Sequence, residues 1–151
     1  MSKNEKSIPL DEREIVGKDY RILYDPATTT ISCHGMLRLY GAAGYVSLAE
    51  FKKSQTSNGV SQHNHRSGVY SSLMDLFNKV LKQHPATITL DLHELEALNS
   101  SGINVLSKFV INARDQGVNQ FIVQGTRQFP WQSKLLSNLQ RLMPDIILEW
   151  T

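Results

Sequence analysis

Two stretches near the start of the chain have the pattern of β-strands. Residues 20–25 and 28–39 are rich in β-branched residues and tyrosine. The DPAT sequence between them, residues 25–28, is typical of a turn, so the two strands are expected to form a hairpin. Gly35 interrupts the second stretch and indicates a bulge or the end of that strand. Ahead of the hairpin the chain is polar without periodicity, which predicts a loose lead-in over residues 1–18.

From residue 71 onward three segments show the spacing of amphipathic helices. The first covers residues 71–84, and its apolar positions are Leu73, Leu76, Phe77, Val80 and Leu81. The second starts at the serines near residue 100, and its apolar stripe consists of Ile103, Leu106, Val110 and Ala113, widened by Val105 and Phe109. The third covers residues 133–143, with Leu135, Leu136, Leu139, Leu142 and Met143 on its apolar side. Gly117 is placed to end the second helix as its C-cap.

Short apolar runs separate the helices. Residues 86–92 and 119–125 are nearly continuous apolar runs of the kind found in buried central strands, and residues 145–150 form a last strand. Strand, helix and strand in this order predict parallel neighbours joined by a right-handed crossover. The whole pattern predicts an α/β fold in which helices pack on a mixed sheet, in a single domain over residues 19–151.

Residues 41–70 show neither the spacing of a helix nor the pattern of a strand. Their first half could support a short helix, while their second half is small and polar with two glycines, and is a loop by composition. A loop of this length inside one domain is either functional or mobile. We therefore expect an insertion in the domain at about residues 41–70.

The composition narrows the function classes. With 40% hydrophobic and 20% charged residues the chain is typical of a soluble globular protein. A net charge of +2 without a basic run argues against nucleic acid or an anionic membrane as a partner. A single cysteine, Cys33, excludes an internal disulfide and suits a reducing compartment. The N-terminus lacks the apolar core of a signal peptide and no apolar run approaches the roughly 18 residues of a membrane span, so we expect a cytoplasmic protein.

The sequence EALNSSGINVLSKFV, residues 96–110, carries the most specific signal. It leads from the carboxyl end of a predicted parallel strand into a helix N-terminus, the edge at which α/β proteins place their ligands. A phosphate on Ser100 or Ser101 would add roughly −1.5 to −2 charge where backbone N–H groups can accept it. Gly102 would leave room for a partner to approach. Local physics alone favours a simpler interpretation, in which Asn99 or a serine is only an N-cap.

The segment from about Ser71 to Trp150 resembles the STAS domain, which is shared by anti-sigma factor antagonists and the cytoplasmic tails of sulfate transporters. The features that match are a leucine–aspartate pair at the end of a strand, a short loop through Leu98, a serine–serine–glycine motif and a glycine before the next strand, here Leu90-Asp91, Asn99-Ser100-Ser101-Gly102 and Gly117. The resemblance implies a STAS-like fold. It also implies a non-enzymatic, partner-switching regulatory protein that needs no cofactor.

In that family the first serine of the motif is phosphorylated, which implies Ser100 here, with Ser101 as the second choice. The implied partners are a serine kinase that is also an anti-sigma-like protein, and a metal-dependent phosphatase of the PP2C type. Phosphorylation breaks the contact with the kinase and the phosphatase restores it. The expected partner-binding surface surrounds the phosphoserine helix and consists of Asn99, Ser100, Ser101, Gly102, Asn104, Ser107, Lys108, Arg127 and Trp131. An edge strand near the N-terminus would also make a homodimer easy to build.

This chain departs from the family pattern in two places. Asn99 stands where the family has aspartate, which removes a negative charge beside the acceptor serine. Phosphorylation could therefore be slower, shifted to Ser101, or absent. The insertion at about residues 41–70 is longer than the usual link and could serve a different partner. One alternative is accordingly a STAS module that acts as a scaffold or binds a ligand without phosphorylation.

An enzyme is the alternative from a different class. A small hydrolase would use Ser100 as nucleophile, His93 as base and Asp91 to orient the histidine, although the chain has no GxSxG elbow. A metal-dependent enzyme would need His63 and His65, two residues apart, together with further ligands brought in by the fold, since His34 and Cys33 lie elsewhere. We expect neither catalytic residues nor a metal.

Overall fold

The computed structural model describes residues 7–39 and 72–151 of the chain. In the first of these ranges three strands form the antiparallel part of the sheet, namely β1 (Glu14–Val16), β2 (Tyr20–Asp25) and β3 (Thr30–Leu37). Strands β2 and β3 are the predicted hairpin, and they pair antiparallel over their whole common length. The turn between them is held by the Asp25 carboxylate, which accepts a hydrogen bond from the backbone N–H of Ala27 at 3.0 Å. The turn prediction is confirmed.

The prediction of a loose lead-in is wrong for residues 8–16. A short 3-10 helix (Leu10–Glu12) precedes β1, and β1 pairs antiparallel with β2. The Ile8 side chain belongs to the buried core. Strand β1 escapes detection in the sequence because it is only three residues long, so it shows no period of its own and depends on pairing with β2.

Three α-helices occur in the described residues, and all three were predicted. They are α1 over residues 72–82, α2 (Ser100–Gln116) and α3 (Trp131–Leu142). The five apolar side chains predicted on α1 are all buried. Gly117 ends α2 in the left-handed conformation, with φ of 76°, and its N–H bonds to the carbonyls of Ala113 and Arg114. The C-cap prediction is therefore confirmed.

The parallel part of the sheet consists of β4 (Thr87–Leu98), β5 (Gln120–Gly125) and β6 (Ile147–Trp150). The six strands lie in the order of the sequence, and the pairs β3–β4, β4–β5 and β5–β6 are parallel. The parallel neighbours predicted at 86–92 and 119–125 are thus confirmed, as is a single-domain α/β fold with a mixed sheet. Strands β1 and β6 are the edges of this sheet, and the homodimer at an N-terminal edge stays a prediction.

Strand β4 is longer than predicted, and this changes the environment of the motif. The sequence predicted a strand that stops at residue 92 and a loop through Leu98, but β4 continues to Leu98 beside β3. The pairing with β3 shifts register between Ser32 and His34, and again between Gly35 and Met36. Each shift places one additional β4 residue opposite β3, which interrupts the regular alternation that a sequence pattern can reveal.

The core lies on one face of the sheet. Along β4 and β5 alternate residues are buried, so the helices cover one face and leave the other half-exposed. Aromatic rings join the layers: Phe77 of α1 stacks on Phe109 of α2 at a centroid distance of 4.0 Å, and Phe109 meets Phe121 of β5 edge to face at 5.5 Å. Such pairs stabilise a core beyond the apolar area that they bury. The aromatic cluster fixes α2, and with it the motif at its start.

The Cys33 thiol lies in this core and should be unreactive. Burial raises its pKa from 9.0 to about 12, and the charge of Asp91 acts in the same direction. Since the thiolate is the nucleophile, we expect the native protein at pH 8 to react with a thiol reagent roughly a thousandfold more slowly than the unfolded protein. The unfolded thiol ionises first, so raising the pH from about 9 towards 12 also favours unfolding. Labelling kinetics with and without denaturant measure this difference, and rapid labelling of the native protein would contradict it.

Candidate functional site

The motif forms the N-terminus of α2, directly after the last residue of β4. Asn99 is the N-cap: its backbone is extended, with φ of −90° and ψ of 179°, and its Oδ1 accepts a hydrogen bond from the N–H of Gly102 at 3.0 Å. The backbone carbonyl of Asn99 accepts the first helical bond, from the N–H of Ile103. The interpretation of the motif as a helix N-cap is therefore confirmed for Asn99.

The Asn99 side chain also binds a distant part of the chain. Its Oδ1 accepts a second hydrogen bond, from the N–H of Leu39 at 3.1 Å, and its Nδ2 donates to the carbonyl of Leu39 at 2.9 Å. Leu39 is buried two residues beyond the end of β3. An aspartate at position 99 could still accept both N–H groups, but an ionised carboxylate has no donor for the Leu39 carbonyl. The amide at position 99 therefore makes one hydrogen bond, to the Leu39 carbonyl, that an ionised aspartate could not make.

The two serines of the motif have opposite environments. Ser100 is the first residue of α2 and is exposed, whereas Ser101 is only 3% exposed. A modifying enzyme must reach the hydroxyl oxygen of its substrate, so the structure favours Ser100 over Ser101 as an acceptor. The phosphorylation itself stays a prediction.

Gly102 serves the fold and does not make room for a partner. The residue is buried, and a Cβ atom there would lie 2.3 Å from Cδ1 of Leu98. The lack of a side chain at position 102 therefore lets Leu98, the last residue of β4, pack under the first turn of α2. The expectation that Gly102 leaves space for a partner is wrong.

The outer face of α2 carries the polar residues predicted for partner binding. Asn104 and Lys108 are exposed and Ser107 is half-buried. Ile103, which the sequence placed in the buried stripe, is 39% exposed and lies one turn after Ser100. The reason is that Val105 and Phe109 are fully buried, so the apolar stripe is centred on their side of the helix and Ile103 falls at its border.

Trp131 and Arg127, both expected on the partner-binding surface, make separate contacts. The indole N–H of Trp131 donates to the backbone carbonyl of Glu96 at 2.8 Å, and its ring is half-buried against the core. The guanidinium of Arg127 is exposed and lies 5.3 Å from the ring of Trp150, a cation–π contact. Trp131 therefore fastens α3 to β4, and only Arg127 remains an exposed side chain of the predicted surface at this end of the sheet.

Gln132 holds the carboxyl end of β4 in place, and the sequence pattern did not reveal this role. Its side chain is fully buried, its Oε1 accepts from the N–H of Thr126 at 2.9 Å, and its Nε2 donates to the carbonyls of Leu92 at 2.8 Å and Leu95 at 3.0 Å. Pairing between β4 and β5 ends at Asp91, so these carbonyls lie beyond the ladder. A glutamine at helical spacing from the buried leucines of α3 was the signal that could have found it.

The arrangement of Asp91 and His93 does not assemble the hydrolase triad. Oδ1 of Asp91 accepts from the backbone N–H of His93 at 3.0 Å and lies 2.9 Å from Nδ1 of that imidazole. Nε2 of His93 is buried without a hydrogen-bond partner in the described residues, so it does not contact the hydroxyl of Ser100. Asp91 thus bonds to the backbone within β4, which continues beyond it, and the His93 side chain is partly buried.

The search for a metal centre covers only the described residues. Within them no group of three or more histidine, cysteine, aspartate or glutamate side chains could hold a metal ion. His63 and His65 lie outside the described residues, as do the short helix and loop predicted between residues 41 and 70. Over residues 7–39 and 72–151, no helix combines the length and the apolar character needed to cross a membrane.

Comparison with known proteins identifies no relative of this chain. No family model matches the chain, and neither a curated protein nor a solved structure shows significant similarity to it. The resemblance to the STAS domain therefore rests on the motif and the element order, and membership of that family stays a prediction.

Proposed function

We propose that the chain is a STAS-like, non-enzymatic regulatory module that binds a protein partner at the N-terminal turn of α2, under the control of phosphorylation at Ser100. The observation that carries the proposal is the placement of Ser100. Ser100 is exposed at the first position of a helix that follows the carboxyl end of a central parallel strand. Ser101 and Gly102 beside it are buried.

The architecture supports the proposed class. Strands β3 to β6 follow one another in sequence and in space, α2 connects β4 to β5, α3 connects β5 to β6, and in the described residues the helices cover one face of the sheet. This order agrees with the STAS-like arrangement implied by the motif. Fold alone does not determine function, so the proposal depends on the residues at the α2 terminus.

The chemistry of the switch is simple. A serine kinase, proposed to be an anti-sigma-like partner, would bond Oγ of Ser100 to the γ-phosphorus of a nucleoside triphosphate. The bond to the diphosphate leaving group would break, and the hydroxyl proton would pass to a base in the kinase. A metal-dependent phosphatase would reverse the modification by directing water to the phosphorus, so that the bond to Oγ breaks, Oγ regains a proton and inorganic phosphate is released. This chain would supply only the acceptor and would act in the cytoplasm.

Phosphate would weaken a partner complex by placing charge beside an apolar contact. The exposed Ile103 side chain, one turn from Ser100, can bury apolar surface against a partner, as can the stem of Lys108. A phosphoserine adds roughly −1.5 to −2 charge at the edge of that contact, and burying an unpaired charge is costly. The added charge alone would therefore destabilise the bound state.

The test combines peptide mapping with partner capture. We expect phosphate on the Ser100 peptide of protein isolated from its own cells, and none in Ser100→Ala. We expect Ser100→Glu to lower the affinity for the captured kinase at least tenfold, while Ser100→Ala retains binding. Ser133→Glu is the matched control, because Ser133 is an exposed serine in the first turn of α3.

Two results would overturn the proposal. One is an unmodified Ser100 peptide across growth conditions, which would favour a scaffold or a ligand-binding module without phosphorylation. The other is an equal loss of binding in Ser100→Glu and Ser133→Glu, which would reflect only added charge.

A further inference from the structure

We propose that Asn99 is a positioning residue whose side-chain hydrogen bonds connect the first turn of α2 to the residues just after β3, a connection that we call the tie. We also propose that phosphate on Ser100 breaks it. The inference rests on the proposed function, since it concerns regulation of the same site. It differs in what it predicts, because the change it describes lies within this chain and needs no partner.

The tie depends on an amide. Asn99 accepts the N–H groups of Gly102 and Leu39 at 3.0 and 3.1 Å, and donates to the carbonyl of Leu39 at 2.9 Å. Oxygen and nitrogen of one side chain thus serve two roles: they cap α2 and pair with both backbone groups of a residue 60 positions earlier. Serine can replace the cap but is too short and has no amide to pair with Leu39. Aspartate can replace both acceptor roles but loses the donor.

A phosphate on Ser100 would compete for the donors that hold Asn99. The phosphate has three strong acceptor oxygens, enough for the first-turn N–H groups of α2, including the one on Gly102 that bonds to Asn99. Hydrogen bonds to an ionised acceptor are roughly twice as strong as neutral ones. The negative charge also repels Oδ1 of Asn99. Both effects move the amide out of the position from which it reaches Leu39.

The release would reach the end of β3. Leu37 is the last residue of β3 and pairs with Leu98, and its carbonyl accepts the N–H of Asn99 at 3.4 Å. This bond is long, so Asn99's side-chain bonds to Leu39 provide the firmer connection between β3 and the helix cap. Arg38 between these residues is exposed. A partner that contacts both α2 and Arg38 would therefore sense two changes from a single modification.

Amide hydrogen exchange, measured residue by residue on the full chain, tests the tie without phosphorylation. In Asn99→Ser we expect the N–H of Leu39 to exchange at least tenfold faster, while the interior of α2 keeps its protection because serine still caps the helix. Asn99→Asp keeps both acceptors and loses only the donor to the Leu39 carbonyl, so it should speed exchange at Leu39 less than Asn99→Ser does. Asn138→Ser, at an exposed position of α3, is the matched control and should change neither. Unchanged exchange at Leu39 in both Asn99 variants would overturn the tie.

A second measurement tests the coupling. With phosphoserine incorporated at position 100 during translation, we expect exchange at Leu39 to rise to the level of Asn99→Ser. No rise at Leu39 would overturn the coupling, even if the modified protein no longer binds its partner. A rise at Leu39 with unchanged partner binding would support the coupling and contradict the proposed function. The two proposals therefore fail separately.

Discussion

Replacing Gln132 by leucine is expected to lower the free energy of unfolding by about 3–5 kcal/mol. Leucine is close to glutamine in size, so the change leaves little cavity and acts almost entirely through hydrogen bonds. It removes the partners of three buried backbone groups, namely the N–H of Thr126 and the carbonyls of Leu92 and Leu95. Each buried backbone group left without a partner costs about 1–3 kcal/mol.

The effect should reach the motif because Gln132 holds the part of β4 that leads to it. Strand β4 pairs with β5 only as far as Asp91 and then runs on for seven residues. Along this extension the side chains of Gln132 and Trp131 take the place of β5, bonding to the carbonyls of Leu92, Leu95 and Glu96. Loss of Gln132 therefore loosens the segment that carries Asn99 and Ser100.

The control is the same substitution in the same helix. Gln140 of α3 is half-buried, and its Nε2 makes one long hydrogen bond, 3.3 Å, to the carbonyl of Ile146. We expect Gln140→Leu to cost less than about 1 kcal/mol. Urea unfolding of the wild type and both variants gives the three free energies. A cost for Gln132→Leu within about 0.5 kcal/mol of that for Gln140→Leu would contradict the bridging role.

Local pattern predicted the helices and the parallel strands because their signals lie within a few residues. The five apolar positions of α1 repeat at helical spacing, and Gly117 ends α2 where the pattern stops. The hairpin of β2 and β3 was readable for the same reason, from its turn residues. Strand β1 was not, since three residues carry no period and gain their structure from a neighbour.

The extension of β4 could not be predicted because its partners are remote in sequence. Glu94 and Glu96 make the segment look like a loop, yet its backbone groups are paired by β3 on one side and by α3 on the other. Gln132 lies 37 and 40 residues from the two carbonyls it serves. Local secondary-structure propensity contains no information about such distant pairs. In this segment the tertiary contacts override it.

The features of the candidate site that lie within the motif were predicted, but its contacts between residues distant in sequence were not. The N-cap at Asn99 and the place of Ser100 in the first helical turn follow from the motif itself. The bonds between Asn99 and Leu39 join residues 60 positions apart, and no local pattern contains them. Ile103 was misplaced because two apolar residues on one flank shifted the centre of the buried stripe.

Two glycines allow the cost of an unusual backbone conformation to be measured apart from the cost of a steric clash. The larger loss of stability on substitution by alanine is expected at Gly35. Gly35 and Gly117 both have positive φ, at 83° and 76°. An added Cβ at Gly35 would lie 2.2 Å from the backbone oxygen of Asp19, whereas nothing lies within 4 Å at Gly117. Gly117→Ala should therefore cost only the conformational penalty, about 1 kcal/mol.

For Gly35→Ala we expect a cost of about 3–4 kcal/mol, because the same conformational penalty is joined by a clash that only a backbone shift can relieve. The carbonyl of Asp19 also accepts the N–H of Met36 at 2.8 Å, so that shift would weaken the bond. Thermal and urea unfolding of the two variants measure the difference. Equal costs would mean that positive φ alone explains Gly35. A larger cost at Gly35 would mean that the close approach of the Asp19 backbone, and not positive φ alone, requires glycine at this position of β3.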